Sequence, residues 1–235
     1  MRQCGMAGRA LSRQLDNVAL ASPPAYGLAA RLRAATLAPH ARAERSGVVA
    51  VILSGQVQRA PYALLLRNLL PVYRAIEDGL RQHRATPWLA PFAGPALFRA
   101  GALSADLAAL CGDDWAERLR VLPAAARYAH RVALAADGDG ARLIAHAYVR
   151  TLGDLSGGQL LARMLARRPG LPPEALHFYE FSDIRDLAAA KADYRAALDA
   201  LGPHLSAPHL LLREAQVAFR LNIAVAEAVQ AASAR

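Results

Sequence analysis

The chain has 235 residues, 54% of them hydrophobic, and a formal net charge of +9 from 28 Lys+Arg against 19 Asp+Glu. That is enough apolar material for one well-buried domain, and a basic surface can attract nucleic acid, acidic lipid or an acidic protein partner. The cations are nearly all arginine, scattered with few aromatics among them, and Lys191 is the single lysine, so nucleic-acid binding is not expected. Cys4 and Cys111 are too few, and too unlike a C-x-x-C pair, for a disulfide framework or a thiolate metal site; a reducing cytoplasm is the expected setting. Arg9 and Arg13 interrupt the N-terminal apolar residues, which argues against a signal peptide. No apolar run reaches the roughly 20 residues that a membrane span needs.

Residues 1–24 show weak periodicity and end in Ser22-Pro23-Pro24, which predicts an irregular leader before a domain over 25–235. From Tyr26, Leu28, Leu32, Ala35 and Thr36 recur at helical spacing, and His40, Ala43 and Glu44 continue that face. Pro39 removes a backbone donor there and either kinks the helix or starts a new one. Val48 to Leu53 suits a strand or a buried helix, with the surrounding pattern favouring helix, and Gly55-Gln56-Val57 breaks it. Tyr62, Leu65, Leu66, Leu69, Leu70, Tyr73 and Ile76 form a core stripe, with Arg67, Arg74 and Glu77 assigned to the wetter side. Prolines 87, 91 and 95 predict a loop, followed by one or two short helices over 97–110. Asp114 is a candidate N-cap for a helix at Trp115. Further helices are expected over 123–136, 142–167, 184–201 and 208–232, with an aromatic loop holding Phe178, Tyr179 and Phe181 before the third. Without strand signals or repeats, the reading is one all-α domain.

The stretch from Tyr148 to Gln159 departs from that pattern, because Gly153, Gly157 and Gly158 interrupt a helix-favouring sequence. Each glycine costs roughly 1 kcal/mol against alanine in a helix. Either a ligand approaches the backbone, the helix bends, or Gly153 and Gly157 form a flat patch for a neighbouring helix. Leu155-Ser156-Gly157-Gly158-Gln159 spells the signature of transporter ATPases, but such an ATPase needs a phosphate loop with its lysine, and Lys191 sits in Ala-Ala-Lys-Ala-Asp. His40 has Glu44 at i+4 and no second candidate ligand nearby, which suits haem, where the porphyrin supplies four nitrogens and the protein one axial base. Lys191, Tyr194 and Arg195 put two cations and a phenol on one helical face, either a solvated surface or a seat for carboxylates.

These residues together resemble the haem oxygenase family. The segment Ala145-His146-Ala147-Tyr148-Val149-Arg150, running into Leu152-Gly153-Asp154-Leu155-Ser156-Gly157-Gly158-Gln159, is similar to that family's distal-helix signature. Support comes from Leu32-Arg33-Ala34-Ala35-Thr36 before His40, from Gly55-Gln56-Val57, from Lys191 to Arg195, and from Phe219-Arg220-Leu221-Asn222-Ile223, covering about residues 28–230. The resemblance implies an all-α, single-domain, multi-helix fold with haem between a proximal helix and a glycine-bent distal helix. His40 is then the proximal ligand to iron and Glu44 its neighbour. Gly153 and Gly157 lie over the haem, Asp154 holds the water that serves dioxygen chemistry, and Arg150 and Tyr148 are pocket residues. Arg33, Lys191 and Arg195 face the propionates, and Phe219 and Asn222 belong to the last helix behind the pocket. Leu70 stands where several relatives carry a tyrosine of the distal hydrogen-bond network.

The implied activity is cleavage of haem, both cofactor and substrate, to biliverdin, carbon monoxide and ferrous iron, with dioxygen as co-substrate. No flavin or nicotinamide fingerprint is present, so electrons are expected from a ferredoxin or an NAD(P)H-dependent reductase. The alternative is a haem-binding storage or sensor protein without turnover.

Overall fold

The computed structural model describes residues 27–234, which leaves the expected leader over 1–24 outside the described residues. Among the described residues there are ten α-helices: α1 (Leu28–Glu44), α2 (Gly47–Leu53), α3 (Arg59–Gln82), α4 (Ala100–Cys111), α5 (Trp115–Arg118), α6 (Pro123–Ala136), α7 (Leu143–Gly153), α8 (Gln159–Leu165), α9 (Leu187–Leu201) and α10 (Pro208–Ser233). No strand occurs among the described residues, and no helix there is long and apolar enough to cross a membrane.

Helix α3 follows the predicted stripe, with Tyr62, Leu66 and Leu70 wholly buried. It packs on α4 and α6, while α10 runs against α1, α2, α3, α6 and α7 and so joins the first and last of the described helices. The short α2 reaches α10 through Gly47, whose φ of +51° suits glycine and whose Cβ would fall 2.3 Å from the Ala226 backbone. Pro39 neither breaks nor restarts α1, which is continuous across it. A proline there leaves the Ala35 carbonyl without its usual i+4 donor, and the Gln216 side chain on α10 donates to that carbonyl at 3.1 Å.

Two polar assignments change in the folded chain. Glu77 is buried rather than wet: one carboxylate oxygen accepts the backbone N–H groups of Arg99 and Ala100, both at 2.7 Å, and the other faces Arg81 at 3.2 Å. It caps the start of α4, which has no cap from its own sequence. Asp114 does stand at the N-cap position of α5 but makes no capping bond, and its carboxylate faces Arg118 at 3.4 Å. By contrast Asp186 caps α9, accepting from Ala188 N–H at 2.8 Å and Ala189 N–H at 3.0 Å, so that helix starts three residues later than its periodicity suggests.

Behind the cleft, Glu214 of α10 ties α6 to α7. It accepts from Arg131 Nε at 2.8 Å and pairs with His146 Nε2 at 3.0 Å, and both Glu214 and His146 are buried. Burial alone would raise the Glu214 carboxyl, but the hydrogen bonds from His146 and Arg131 outweigh it and hold it at about 2. A depressed carboxylate contributes stability above its unfolded value of 4.5 and loses that contribution as the pH falls toward about 2. The melting temperature is therefore expected to drop on acidification through this window. Glu214→Gln should flatten that drop and lower the melting temperature at pH 7 by roughly 10 °C, because one partner of a buried ion pair is removed. Thermal melts of both proteins between pH 3 and pH 7 check this.

Candidate functional site

The predicted long helix over 142–167 is interrupted where the glycines fall. α7 ends at Gly153, a π-helical turn spans Asp154–Gly158, and α8 resumes at Gln159. A π turn inserts an extra residue and swings the following backbone outward, and it recurs at functional sites. Gly153 and Gly157 face open space: a Cβ added to either would meet nothing within 4 Å, so the flat-patch explanation does not hold for them. Gly158 is the glycine that packs, since a Cβ there would come within 3.3 Å of the Tyr179 ring.

Two contiguous cavities open against this backbone. The smaller, about 180 Å³, is walled by apolar side chains including Val49, Ile52, Leu65 and Phe178. The larger, about 590 Å³, is bounded by Arg33, Thr36, Tyr148, Arg195 and Asp199. His40, Val149, Gly153, Gly157 and Phe219 line both, so the two form one cleft with an apolar interior and a polar rim, in the size range of a cofactor site. α1 supplies one wall and the π turn the other. His40 presents its imidazole between them, with Phe219 edge-on at 5.9 Å and Nδ1 3.6 Å from Glu44 Oε1. Among the described residues, the ring makes no hydrogen bond, which leaves Nε2 free to bind a metal.

On the glycine side, four predicted or unpredicted polar groups converge. Arg150 donates from Nε to the Tyr73 hydroxyl at 2.8 Å, from one terminal nitrogen to Asn222 Oδ1 at 2.9 Å and from the other to Asp154 Oδ1 at 3.2 Å. The Tyr73 hydroxyl in turn donates to the second oxygen of Asp154. Asp154 is buried, and that burial pushes its carboxyl above the ordinary range, opposed by Arg150, the Tyr73 hydroxyl and Arg99. Arg150 and Tyr73 thus fix one carboxylate oxygen each, which holds Asp154 at the start of the open glycine backbone.

Most of the expected site residues therefore meet in one place. His40, Glu44, Arg150, Gly153, Asp154, Gly157, Phe219 and Asn222 line the inner cavity, and Arg33, Tyr148 and Arg195 line the outer one. Tyr148 lies 3.3 Å from the Thr36 hydroxyl across the cleft. Lys191 does not line either cavity; it lies one turn before Arg195 on α9, half-buried. Tyr194 does not share a wet face with them but packs inward on Phe92 at 5.0 Å. Leu70 is core, and no phenol is missing from the network: Tyr73, three residues on, supplies it. By its spacing Tyr73 belongs to the apolar stripe, and a hydrophobic period cannot separate a packed phenol from one whose hydroxyl reaches a partner. Phe178 and Tyr179 were visible only as loop aromatics, yet both form part of the inner wall.

A family model described as "Heme oxygenase" matches residues 26–228. The chain is 36% identical over 199 residues to the heme oxygenase of Rhodella violacea, covering 84% of this chain and 85% of that one. It is 35% identical to heme oxygenase 1 of Rattus norvegicus, over 87% of this chain and 72% of that one. Among solved structures, heme oxygenase-1 of the cyanobacterium Synechocystis in complex with heme superimposes with a TM-score of 0.83 at 33% identity, covering 88% of this chain and 94% of that one. The heme oxygenase of Leptospira interrogans gives 0.81 at 33% identity, covering 86% and 99%. A cleft walled by bare glycine backbone, a free imidazole opposite and this agreement along the chain have one reading: the protein belongs to the haem oxygenase family.

Proposed function

We propose that the cleft holds haem and that the protein cleaves it to biliverdin, carbon monoxide and ferrous iron, with dioxygen as co-substrate and electrons from a separate donor. The observation that carries this reading is the open face of Gly153 and Gly157 across the cleft from His40. The residues fit a flat, mostly apolar ring with two carboxylates at one edge. His40 Nε2 would bind the iron, with Glu44 steadying Nδ1; the apolar inner cavity would take the macrocycle; Arg33 and Arg195 at the outer rim would face the propionates. Lys191 belongs to that rim only through a change of side-chain position. In this reading the functional unit is the domain over 25–235.

When bound, haem supplies the iron that activates dioxygen and is itself the molecule cleaved. The chain's own groups act around it. With haem in place, the bare backbone of Gly153 and Gly157 would leave room for a diatomic molecule on that face of the ring, where a side chain would fill the space. Asp154, fixed by Arg150 and Tyr73, holds water at the open side and passes a proton through it. Asn222 keeps Arg150 turned toward Asp154 by accepting one of its donors. Arg31, Arg33 and Arg42 are exposed along α1 and Arg45 just past its end, which supports an acidic ferredoxin or an acidic face of an NAD(P)H-dependent reductase as donor. Such a partnership suits a cytoplasmic protein.

Purified protein mixed with haem, dioxygen and a reductant is expected to lose its Soret band as biliverdin absorption grows; an intact haem spectrum after prolonged reduction in air would instead support a storage or sensor protein. Gly157→Leu should keep the melting temperature of the haem-free protein, since its side chain enters open space, and lower haem affinity by at least about tenfold by occupying the ring's place. Optical titration with haem and a thermal melt check both halves. Asp154→Ala should retain haem binding within a few-fold and reduce biliverdin formation by on the order of 100-fold, measured by single-turnover product analysis.

A further inference from the structure

Asp106 on α4 lies outside the cleft and is wholly buried. One carboxylate oxygen accepts the His177 backbone N–H and pairs with His177 Nδ1, both at 2.9 Å, and the other accepts the Phe178 backbone N–H at 2.9 Å. Burying a carboxylate costs several kcal/mol unless its lone pairs are filled, and here all three donors come from the single turn His177–Tyr179. That turn reaches the distal wall at two points. Phe178 packs edge-on against Tyr73 at 5.4 Å, and the Tyr73 hydroxyl donates to Asp154 at the start of the π turn. The Tyr179 ring lies against Gly158, and the Tyr179 carbonyl accepts from Gln159 Nε2 at 2.8 Å just after its end.

We propose that Asp106 is a positioning residue for the reaction, acting through the His177–Tyr179 turn to hold the π segment and the Tyr73–Asp154 bond in their working register. A π turn has few intrinsic supports, since it is less regular than the α-helix on either side, so contacts at both ends decide where Gly157 and Asp154 stand over the cleft. Asp106→Asn has the same shape, but its amide group meets a backbone N–H with another donor, which should release one side of the turn. The inference rests on the haem oxygenase reading of the cleft for its catalytic meaning, while the mechanical link does not require haem.

Two measurements on the full chain separate these. Hydrogen exchange of the haem-free protein is expected to speed up by about tenfold over residues 154–158 in both Asp106→Asn and Gln159→Leu. The ferric haem complexes of the same variants should shift the midpoint of their optical acid–alkaline transition by about 0.5 units or more, because the groups that order water over the iron have moved. Asn68→Ala is the control: Asn68 is also buried and holds a backbone N–H, that of Leu122 at 2.7 Å, but it does not touch the turn. It should lower the melting temperature while leaving both readouts unchanged. Unchanged exchange and midpoint in Asp106→Asn would overturn the proposal, as would equal changes in Asn68→Ala. If Asp106→Asn does not fold, Gln159→Leu decides, and a wild-type midpoint there sinks the idea. Failure of the wild-type protein to bind haem would overturn the reading of the cleft and leave the exchange experiment to judge the link alone.

Discussion

Arg150 carries a full positive charge into a part of the protein where its side chain is only 13% exposed, and the site is arranged around keeping that charge paired. A buried guanidinium is costly unless its donors find acceptors, and its rigid fork admits few ways of doing so. Here the acceptors come from three different elements: Tyr73 on α3, Asp154 in the π turn and Asn222 on α10. The guanidinium also lies 5.1 Å from the centre of the Tyr73 ring. Sliding any one of these elements along its axis would leave a donor or a carboxylate unpaired. The network therefore sets the register of α3, α7 and α10 against each other, and with it the position of the glycine backbone over the cleft.

The same logic explains why α10 matters so much to a site it lines at only a few positions. Along one helix, Glu214 answers Arg131 and His146, Gln216 takes the Ala35 carbonyl that Pro39 leaves free, Phe219 meets His40, and Asn222 turns Arg150. Each contact ties a different part of the chain to the cleft. Pro39 is thus compatible with an unbroken helix one residue before the proposed ligand, because the backbone group it orphans has a partner from α10 rather than from its own turn.

Helical periodicity located the helices that carry the site, and the wholly buried stripe of α3 follows from its apolar spacing. The glycines of the distal stretch were legible as an anomaly, and the resemblance of the surrounding residues identified the family. What periodicity misread was polarity inside the core. Glu77 sits at a position that hydropathy assigns to solvent, yet it is buried because the start of α4 needs an acceptor. Tyr73 reads as one more apolar residue, yet its hydroxyl completes the Asp154 network. Tyr194 reads as part of a wet cationic face, yet it turns inward against Phe92.

The sequence by itself determined the class of the fold, the existence of a glycine-bearing helix that no packing rule favours, and the candidacy of one imidazole and one carboxylate that the fold brings to the same cleft. These are local properties, set by spacing, backbone cost and residue chemistry within one segment. Only the tertiary structure decided which use the glycines serve, because open space beside Gly153 and Gly157, and the Tyr179 ring beside Gly158, are facts about other segments. It also decided which polar residues are buried and what they hold, since a buried charge depends on donors and acceptors far away in the chain. The distal stretch is marked in sequence by what its glycines cost; its role is set by the cleft that the rest of the fold leaves open against them.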